Sequence, residues 1–275
     1  MTNTEPVLKA TPKGESLKND EVELSPKEEM SEFAKTIVIA VLLAMVIRTF
    51  LYEPFNIPSG SMLPTLEVGD YLFVSKPSYG YSKYSFPLSM GGFDGRVMDE
   101  EPKRGDIIVF RQPNNTSVDY IKRLVALPGE TVQMIRGRLY INGKRVERET
   151  VGLVQSDENT TYQREVLTEY IETLPGGIMH TIYETSDNEA LDNTPLYTIP
   201  DDHYFLMGDN RDNSRDSRDM MTVGFVPYEN LIGRADLLFF SIDKDSAKLF
   251  NPFTWPGAIR ISRIFKSLKP VRPEE

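Results

Sequence analysis

Hydrophobic and polar positions fall into three regimes along the chain. Residues 1–33 mix lysine and glutamate with scattered proline, serine and threonine. Such a segment cannot bury enough apolar surface to offset its ordering entropy, so it is expected to be disordered. The next segment reverses the balance: TIVIAVLLAMVIRTFLY, Thr36 to Tyr52, carries no charge before Arg48. A half-buried soluble helix would show a polar face with a period near 3.6, and Ile37 to Ile47 shows none. As a helix of about 17 residues it would run about 25 Å, enough to cross a bilayer if Lys35 and Arg48 snorkel to opposite interfaces. Residues 34–52 are therefore read as one transmembrane anchor. Two competitors are a buried core helix, because the uncharged run Thr36 to Ile47 is short, and a cleaved secretory signal. The bulky exit RTFLYEPF, with no small-x-small site, argues against cleavage. Five lysines precede the segment and only Arg48 follows closely, which places the N-terminus in the cytoplasm and the rest of the chain across the membrane.

The third regime, from residue 53 onward, has short runs rich in Val, Ile, Phe and Tyr between Gly, Pro and Asp: DYLFVSK, GDIIVF, DYIKRLVALPGE, TVQMI, RLYINGKRV, HYFLMGDN and LIGRADLLFFSI. Runs of this length read as strands, and Asn142-Gly143 suits a tight hairpin. No long amphipathic helix or internal repeat appears after the anchor. The fold class is mainly β: an antiparallel β-sheet core (53–135 and 203–262) with an inserted smaller β lobe (136–202), followed by a C-terminal tail (263–275). Within the insert, YQREVLTEYIETL fits a strand or a short helix equally well by pattern.

The net charge of −10, from 31 Lys plus Arg against 41 Asp plus Glu, argues against a general nucleic-acid binder. There are no cysteines, which removes disulfides, Cys-rich zinc sites and a thiol nucleophile. His180 and His203, the two histidines, belong to no ligand spacing and read as ordinary structural or surface residues.

One loop carries chemistry. In EPFNIPSGSMLPTL, residues 53–66, Ser59 and Ser61 flank Gly60 between Pro58 and Pro64. Such a stiff loop can fix a hydroxyl, but a serine becomes a nucleophile only beside a base; without a suitable histidine, Lys, Asp and Glu are the candidates. A lysine serves if burial brings its pKa down from about 10.4. Lys122 fits: period-two alternation puts it on one strand face with Tyr120 and Leu124. The competing reading is an exposed strand lysine, because lysine is seldom buried unpaired.

The order of PSGSMLPTL (58–66), RGDIIVF (104–110), DYIKRLVALPGE (119–130) and GDNRDNSRDSR (208–218) behind an apolar segment resembles the successive sequence boxes of bacterial type I signal peptidases. That resemblance implies a membrane-anchored serine endopeptidase with a Ser/Lys dyad, removing signal peptides from secretory preproteins on the outer face of the bacterial inner membrane. It makes Ser61 the nucleophile, Lys122 the general base, Ser59 an oxyanion donor and Ser214 the group that orients the lysine. It makes Asp216 and Arg218 a supporting ion pair, with Gly208, Asp209 and Asn210 shaping the turn. It implies that Phe55, Ile57, Pro58, Met62, Leu66, Val109 and Ile121 line pockets for small side chains before the cut. No cofactor is expected, and the partners are signal peptides and the lipid bilayer. After Arg218 the chain reads DMMTVGFVP, where the family commonly has an aromatic pair before glycine. A rival reading of GDNRDNSRDSRD as a calcium loop lacks the sixth-position glycine and twelfth-position glutamate of an EF-hand and carries arginines that would repel the ion. A tethered β scaffold that binds exported chains without cutting them is the alternative from another functional class.

Overall fold

The structure is a computed structural model, and it describes residues 25–86, 92–155, 166–243, 246 and 254–271. Two compact units are present, Met1–Leu43 and Ala44–Glu275. Disorder expected for residues 1–24 concerns a stretch outside the described residues.

Helix α1 (Pro26–Phe50) is long and apolar enough to cross a membrane, and none of its residues is buried. It begins at Pro26, so residues 26–33, expected to be disordered, form its first turns. The reason is a capping box: Ser25 N donates to Glu28 Oε2 at 2.9 Å and Glu28 N to Ser25 Oγ at 3.4 Å, with Pro26 opening the first turn. At the other end Tyr52, expected inside the apolar span, already lies in a strand.

Beyond α1 come β1 (Tyr52–Asn56), β2 (Asp70–Ser75), β3 (Tyr81–Ser82), β4 (Arg96–Val97), β5 (Ile107–Gln112) and β6 (Asn115–Ala126). The middle of the chain supplies β7 (Thr131–Ile135), β8 (Arg138–Ile141), β9 (Lys144–Arg145), β10 (Glu147–Gln155), β11 (Val166–Leu174), β12 (Ile178–Glu184) and β13 (Tyr197–Thr198). Last are β14 (His203–Met207), β15 (Val226–Pro227), β16 (Leu231–Ser241) and the short α2 (Trp255–Ala258). The main sheet runs β1-β2-β16-β5-β6-β14-β15, all neighbours antiparallel. Its strands therefore come from both sides of the sequence interval that holds β7 to β13.

That interval builds two further sheets, β13-β7-β8-β9 and β10-β11-β12. Strand β7 pairs only there, so the lobe begins at the turn after Ala126, not at residue 136. The ambiguous YQREVLTEYIETL run is strand from Val166 onward. Asn142 and Gly143, with φ of 52° and 73°, make the tight turn between β8 and β9.

Strands β5 and β14 are apolar at every successive core position because both faces are covered. Ile107 and Val109 join one cluster with Ile57, Met62 and Leu66, while Ile108 and Phe110 join another with Leu124 and Leu206. Phe205 and Met207 face a third, built largely from the lobe. Met220 and Phe225, from the divergent DMMTVGF segment, pack on that lobe cluster.

The C-terminal stretch is not a free tail through residue 268. Phe265 N donates to Leu238 O at 2.7 Å, Leu238 N to Lys266 O at 3.0 Å, and Leu268 is buried against the Met62 cluster. Its arginines reach carboxylates inside: Arg263 bonds Glu67 and fully buried Asp70 at 2.6 Å each, and donates to Thr65 O at 3.1 Å. Residues 272–275 lie outside the described residues.

Candidate active site

Strand β1 delivers the chain into a single 3₁₀ turn, Gly60–Met62. Ile57 is tied to β2 by its N–H to Asp70 O at 2.8 Å, and Leu66 N closes onto Met62 O at 2.9 Å. Met62 and Leu66 are fully buried, so two apolar anchors hold the turn from its C-terminal side, with Ser61 immediately before the first of them at 9% exposure. Ser59, just outside, is exposed, and its Oγ lies 3.5 Å from that of Ser61.

Lys122 approaches from β6, where it stands opposite Ile108 of β5. Its Nζ donates to Ser61 Oγ at 2.7 Å and to the carbonyl of Ile121 at 3.0 Å, and sits 5.4 Å from the centre of the Tyr120 ring. The side chain is buried, at 4% exposure. Burial drives its pKa down to about 8; Asp216 and Asp209 pull upward and Arg218 pushes down again. Both carboxylates are committed elsewhere, which limits their pull.

Asp209 is gripped by Arg123, the residue after Lys122, which points to the opposite face of β6. Nε reaches Oδ1 at 2.8 Å and Nη2 reaches Oδ2 at 2.6 Å, while Thr65 Oγ1 donates to Oδ2 at 2.5 Å. Burial alone would raise this carboxyl, but the Arg123 charge outweighs it and leaves the pKa below the usual range. Asp216 follows the same logic with Arg218, through Nε to Oδ1 and Nη2 to Oδ2 at 2.9 Å each; Gly208 N adds a bond to Oδ2 at 3.0 Å.

Asn210 holds the serine turn directly: its N–H donates to Ser61 O at 3.2 Å and its Nδ2 to Gly60 O at 3.1 Å. Gly208 is glycine because of proximity. A Cβ there would lie 2.2 Å from Ser214 Oγ and 2.5 Å from Ser61 O. Ser214 is buried, yet its hydroxyl makes no well-formed hydrogen bond. The bond to the lysine amine implied by the resemblance is therefore not made; Lys122 uses the Ile121 carbonyl of its own strand instead. The Ser214 hydroxyl stands close enough to Asp216 to help keep that carboxyl ionised.

Of the seven pocket candidates, Phe55, Ile57, Met62, Leu66, Val109 and Ile121 meet in one apolar cluster. Pro58 stands outside it, exposed. Ile57, Met62, Leu66 and Val109 show at most 2% of their surface, so the accessible surface comes from Phe55, Pro58 and Ile121, with the others as the wall behind.

The family model described as "Signal peptidase, peptidase S26" matches residues 30–240. The chain belongs to the signal peptidase family. It is thus an enzyme, a peptidase of the signal peptidase I kind. Signal peptidase I of Rickettsia typhi is 41% identical over 270 residues, covering 91% of this chain and 97% of that protein. Signal peptidase I of Rickettsia conorii is 41% identical over 262 residues, covering 88% and 93%. A crystal structure of a signal peptidase I from Enterococcus faecalis is 30% identical and covers 49% of this chain and 97% of that one, with a TM-score of 0.28.

Several residues of this signal peptidase's site were not singled out from sequence: Arg123, Thr65, Glu172, His180 and Arg211. Arg211 pairs with Glu172 on β11, both buried, with Nη1 to Oε1 at 2.8 Å and Nη2 on Oε2. His180, read as an ordinary residue, is buried with Nε2 3.4 Å from Glu172 and 3.9 Å from Asp209. Burial, then Arg123, pushes its pKa down to about 4, so the imidazole is neutral at pH 7. A usable signal existed for Arg123: an arginine inside the apolar run after Lys122 cannot be buried without an acidic partner.

Proposed function

We propose that the chain is a membrane-anchored serine endopeptidase that removes N-terminal signal peptides from exported preproteins after small residues, using Ser61 and Lys122. The observation that carries this reading is the 2.7 Å contact between Ser61 Oγ and a buried amine whose pKa is brought down to about 8. Neutral Lys122 takes the Ser61 proton as Oγ bonds to the scissile carbonyl carbon. The oxyanion is held by the Ser61 N–H and the Ser59 hydroxyl, preorganised donors that need no rearrangement as charge develops. The ammonium then gives its proton to the departing amine, the C–N bond breaks, and an acyl-enzyme remains. Lys122 next takes a proton from water as the water oxygen bonds to the ester carbon; the bond from that carbon to Ser61 Oγ then breaks, and the ammonium returns its proton to Oγ, restoring the serine and the neutral amine. In this reading Ser214 packs between Gly208 and the Asp216–Arg218 pair and holds the lysine pocket in shape.

Phe55, Pro58 and Ile121 offer a shallow apolar edge with a filled wall behind it. A large side chain has no room there, while alanine loses little by being small, which accounts for Ala-x-Ala selection. Helix α1 anchors the enzyme by a single span, with the N-terminus in the cytoplasm and Ser61 close to the outer surface of the inner membrane. Trp255, 42% exposed, suits headgroup depth.

The test is incubation of the purified, full-length protein with a preprotein, followed by N-terminal sequencing of the product. Wild type should release a mature chain beginning after a small-x-small site, and Ser61→Ala and Lys122→Met should each release none. Binding without cleavage by wild type would sink the peptidase mechanism in favour of a tethered scaffold.

A further inference from the structure

Four consecutive residues after β14 serve two parts of the molecule. Asp209 holds Arg123 and Thr65, and Asn210 holds the carbonyls of Gly60 and Ser61, all belonging to the Ser61 side. Arg211 and Asp212 are held by the lobe. Both oxygens of Glu172 face the Arg211 guanidinium, and Asp212 Oδ2 accepts from Thr185 N at 2.7 Å and Ser186 N at 3.3 Å. Tyr183 N, on β12, donates to Asp209 O at 2.9 Å. The lobe thus grips one half of the segment whose other half grips the serine turn.

We propose that Glu172 is a positioning residue: by holding Arg211 it fixes the loop from which Asn210 fixes Ser61 beside Lys122. A buried guanidinium that loses its carboxylate cannot stay where it is at low cost. Arg211 has no near substitute, since Glu184, the next acidic group of the lobe, is engaged by Arg148, and Asp209 by Arg123. Moving Arg211 to water drags Asn210, one residue away, off the Gly60 and Ser61 carbonyls. The lobe therefore acts on the reaction without touching substrate. The inference rests on the Ser61/Lys122 reading for its kinetic arm, while its structural arm is independent of it.

The test compares Glu172→Ala, Glu172→Asp and Asp212→Ala with Leu167→Ala, a buried lobe residue that makes none of these contacts. All are measured as full-length protein by preprotein cleavage and by amide hydrogen exchange. Expected for Glu172→Ala is a fall in kcat of about ten- to a hundredfold with KM within about twofold, the size of effect a small misplacement of reacting groups produces. Exchange at the Asn210 amide should speed up, with that of Leu124 unchanged. Glu172→Asp should recover part of kcat, and Leu167→Ala should lower the melting temperature with kcat and Asn210 exchange held. Should Glu172→Ala fail to fold, Asp212→Ala, at a half-buried position, must show the same two changes in smaller measure. Unchanged Asn210 exchange, or kcat falling equally in Leu167→Ala at matched stability, overturns the proposal. A wild type that does not cleave while Asn210 exchange still responds to Glu172 would remove the peptidase mechanism and leave the lobe-to-loop coupling standing.

Discussion

Lys76 and Lys122 are buried to similar depth, at 2% and 4% exposure, in opposite company. Lys76 Nζ faces a Glu53 carboxylate oxygen at 2.9 Å and donates to Ser85 O at 2.6 Å. Lys122 Nζ faces a serine hydroxyl and a backbone carbonyl, and among the described residues no carboxylate oxygen lies within ion-pair distance of it. Burial is common to both and so does not by itself tell the two apart. The difference is the direct counter-charge. Around Lys122 the two nearest acidic groups, Asp209 and Asp216, are each saturated by an arginine in a two-pronged pair, so burial decides the outcome. The arginines next to the site therefore act on the lysine by occupying its potential partners.

The largest effect that could break this contrast comes from removing each amine in turn. Lys122→Met should cut kcat by about a thousandfold or more, because a serine without its base is a poor nucleophile. Lys76→Met should lower stability, because it strips Glu53 of its partner, yet leave kcat per folded molecule within about twofold, since the Lys76 amine bonds Glu53 and the Ser85 carbonyl and not Ser61. Equal losses in the two variants, in a cleavage assay normalised to folded protein by circular dichroism, would erase the distinction.

Next in size is Ser59→Ala, which spares both partners of the Lys122–Ser61 contact and removes the hydroxyl proposed as an oxyanion donor. About a hundred- to a thousandfold loss in kcat, roughly 3 to 4 kcal/mol, is expected with little change in KM. A variant that loses affinity in place of kcat would reassign Ser59 to substrate binding.

How much of this was readable beforehand depends on how local the signal is. Runs such as Ile107 to Phe110 announce strands covered on both faces, and Asn142-Gly143 announces its turn, because each is decided within a few residues. Ser61 and Lys122 stood out through ordered motifs, and the structure puts their heads 2.7 Å apart. What stayed hidden was pairing at a distance. Glu172 and Arg211 are 39 positions apart, and Arg123 and Asp209 are 86 apart; each charge taken alone looks like a solvated surface residue. The same bias puts Arg263 in a C-terminal tail, when it closes onto Glu67 and Asp70 beside Arg260, which also bonds Glu67. The early start of α1 was written in Ser25-Pro-Lys-Glu28, but a charge-rich composition outweighed a four-residue cap. The true edge of the lobe was invisible for another reason: TVQMI has the same pattern whether it pairs with β6 or with β8.

A third effect follows from pH. A pKa of about 8 leaves Lys122 mostly charged at pH 7, with about one molecule in ten ready to react and about one in a hundred at pH 6. The kcat/KM should therefore rise about fiftyfold from pH 6 to 8 with a midpoint near 8, and a flat profile over pH 6 to 9 would remove Lys122 as the base. Substrate covering the site deepens the burial, so the midpoint in kcat should lie lower than in kcat/KM. Stability carries the matching sign. The folded pKa lies below the ordinary lysine value of 10.5, so between the two the unfolded chain binds more protons and stability rises with pH across that window. Lys122→Met should melt higher than wild type at pH 7, with the gap narrowing above pH 8.

The smallest effect tests the other lysine from its partner's side. Glu53→Gln leaves Lys76 buried with the Ser85 carbonyl but without a full negative charge. Stripping a buried pair of one partner typically costs about 3 to 5 kcal/mol. Glu53 is 23% exposed, so solvent already screens part of the attraction and can reach the amine once the carboxylate is gone. A loss of about 1 to 2 kcal/mol is therefore expected, read from urea unfolding of the full chain in detergent. Stripped of its counter-charge, Lys76 would resemble Lys122 in environment, yet of these two amines Lys122 is the one bonded to a serine hydroxyl among the described residues. Cleavage per folded molecule should thus be unchanged with Ser61 present, and no cleavage should appear in Glu53→Gln combined with Ser61→Ala. Residual cleavage in that double variant would mean that a buried, unpaired lysine suffices with some other hydroxyl, and that the Ser61 turn is not what singles out Lys122.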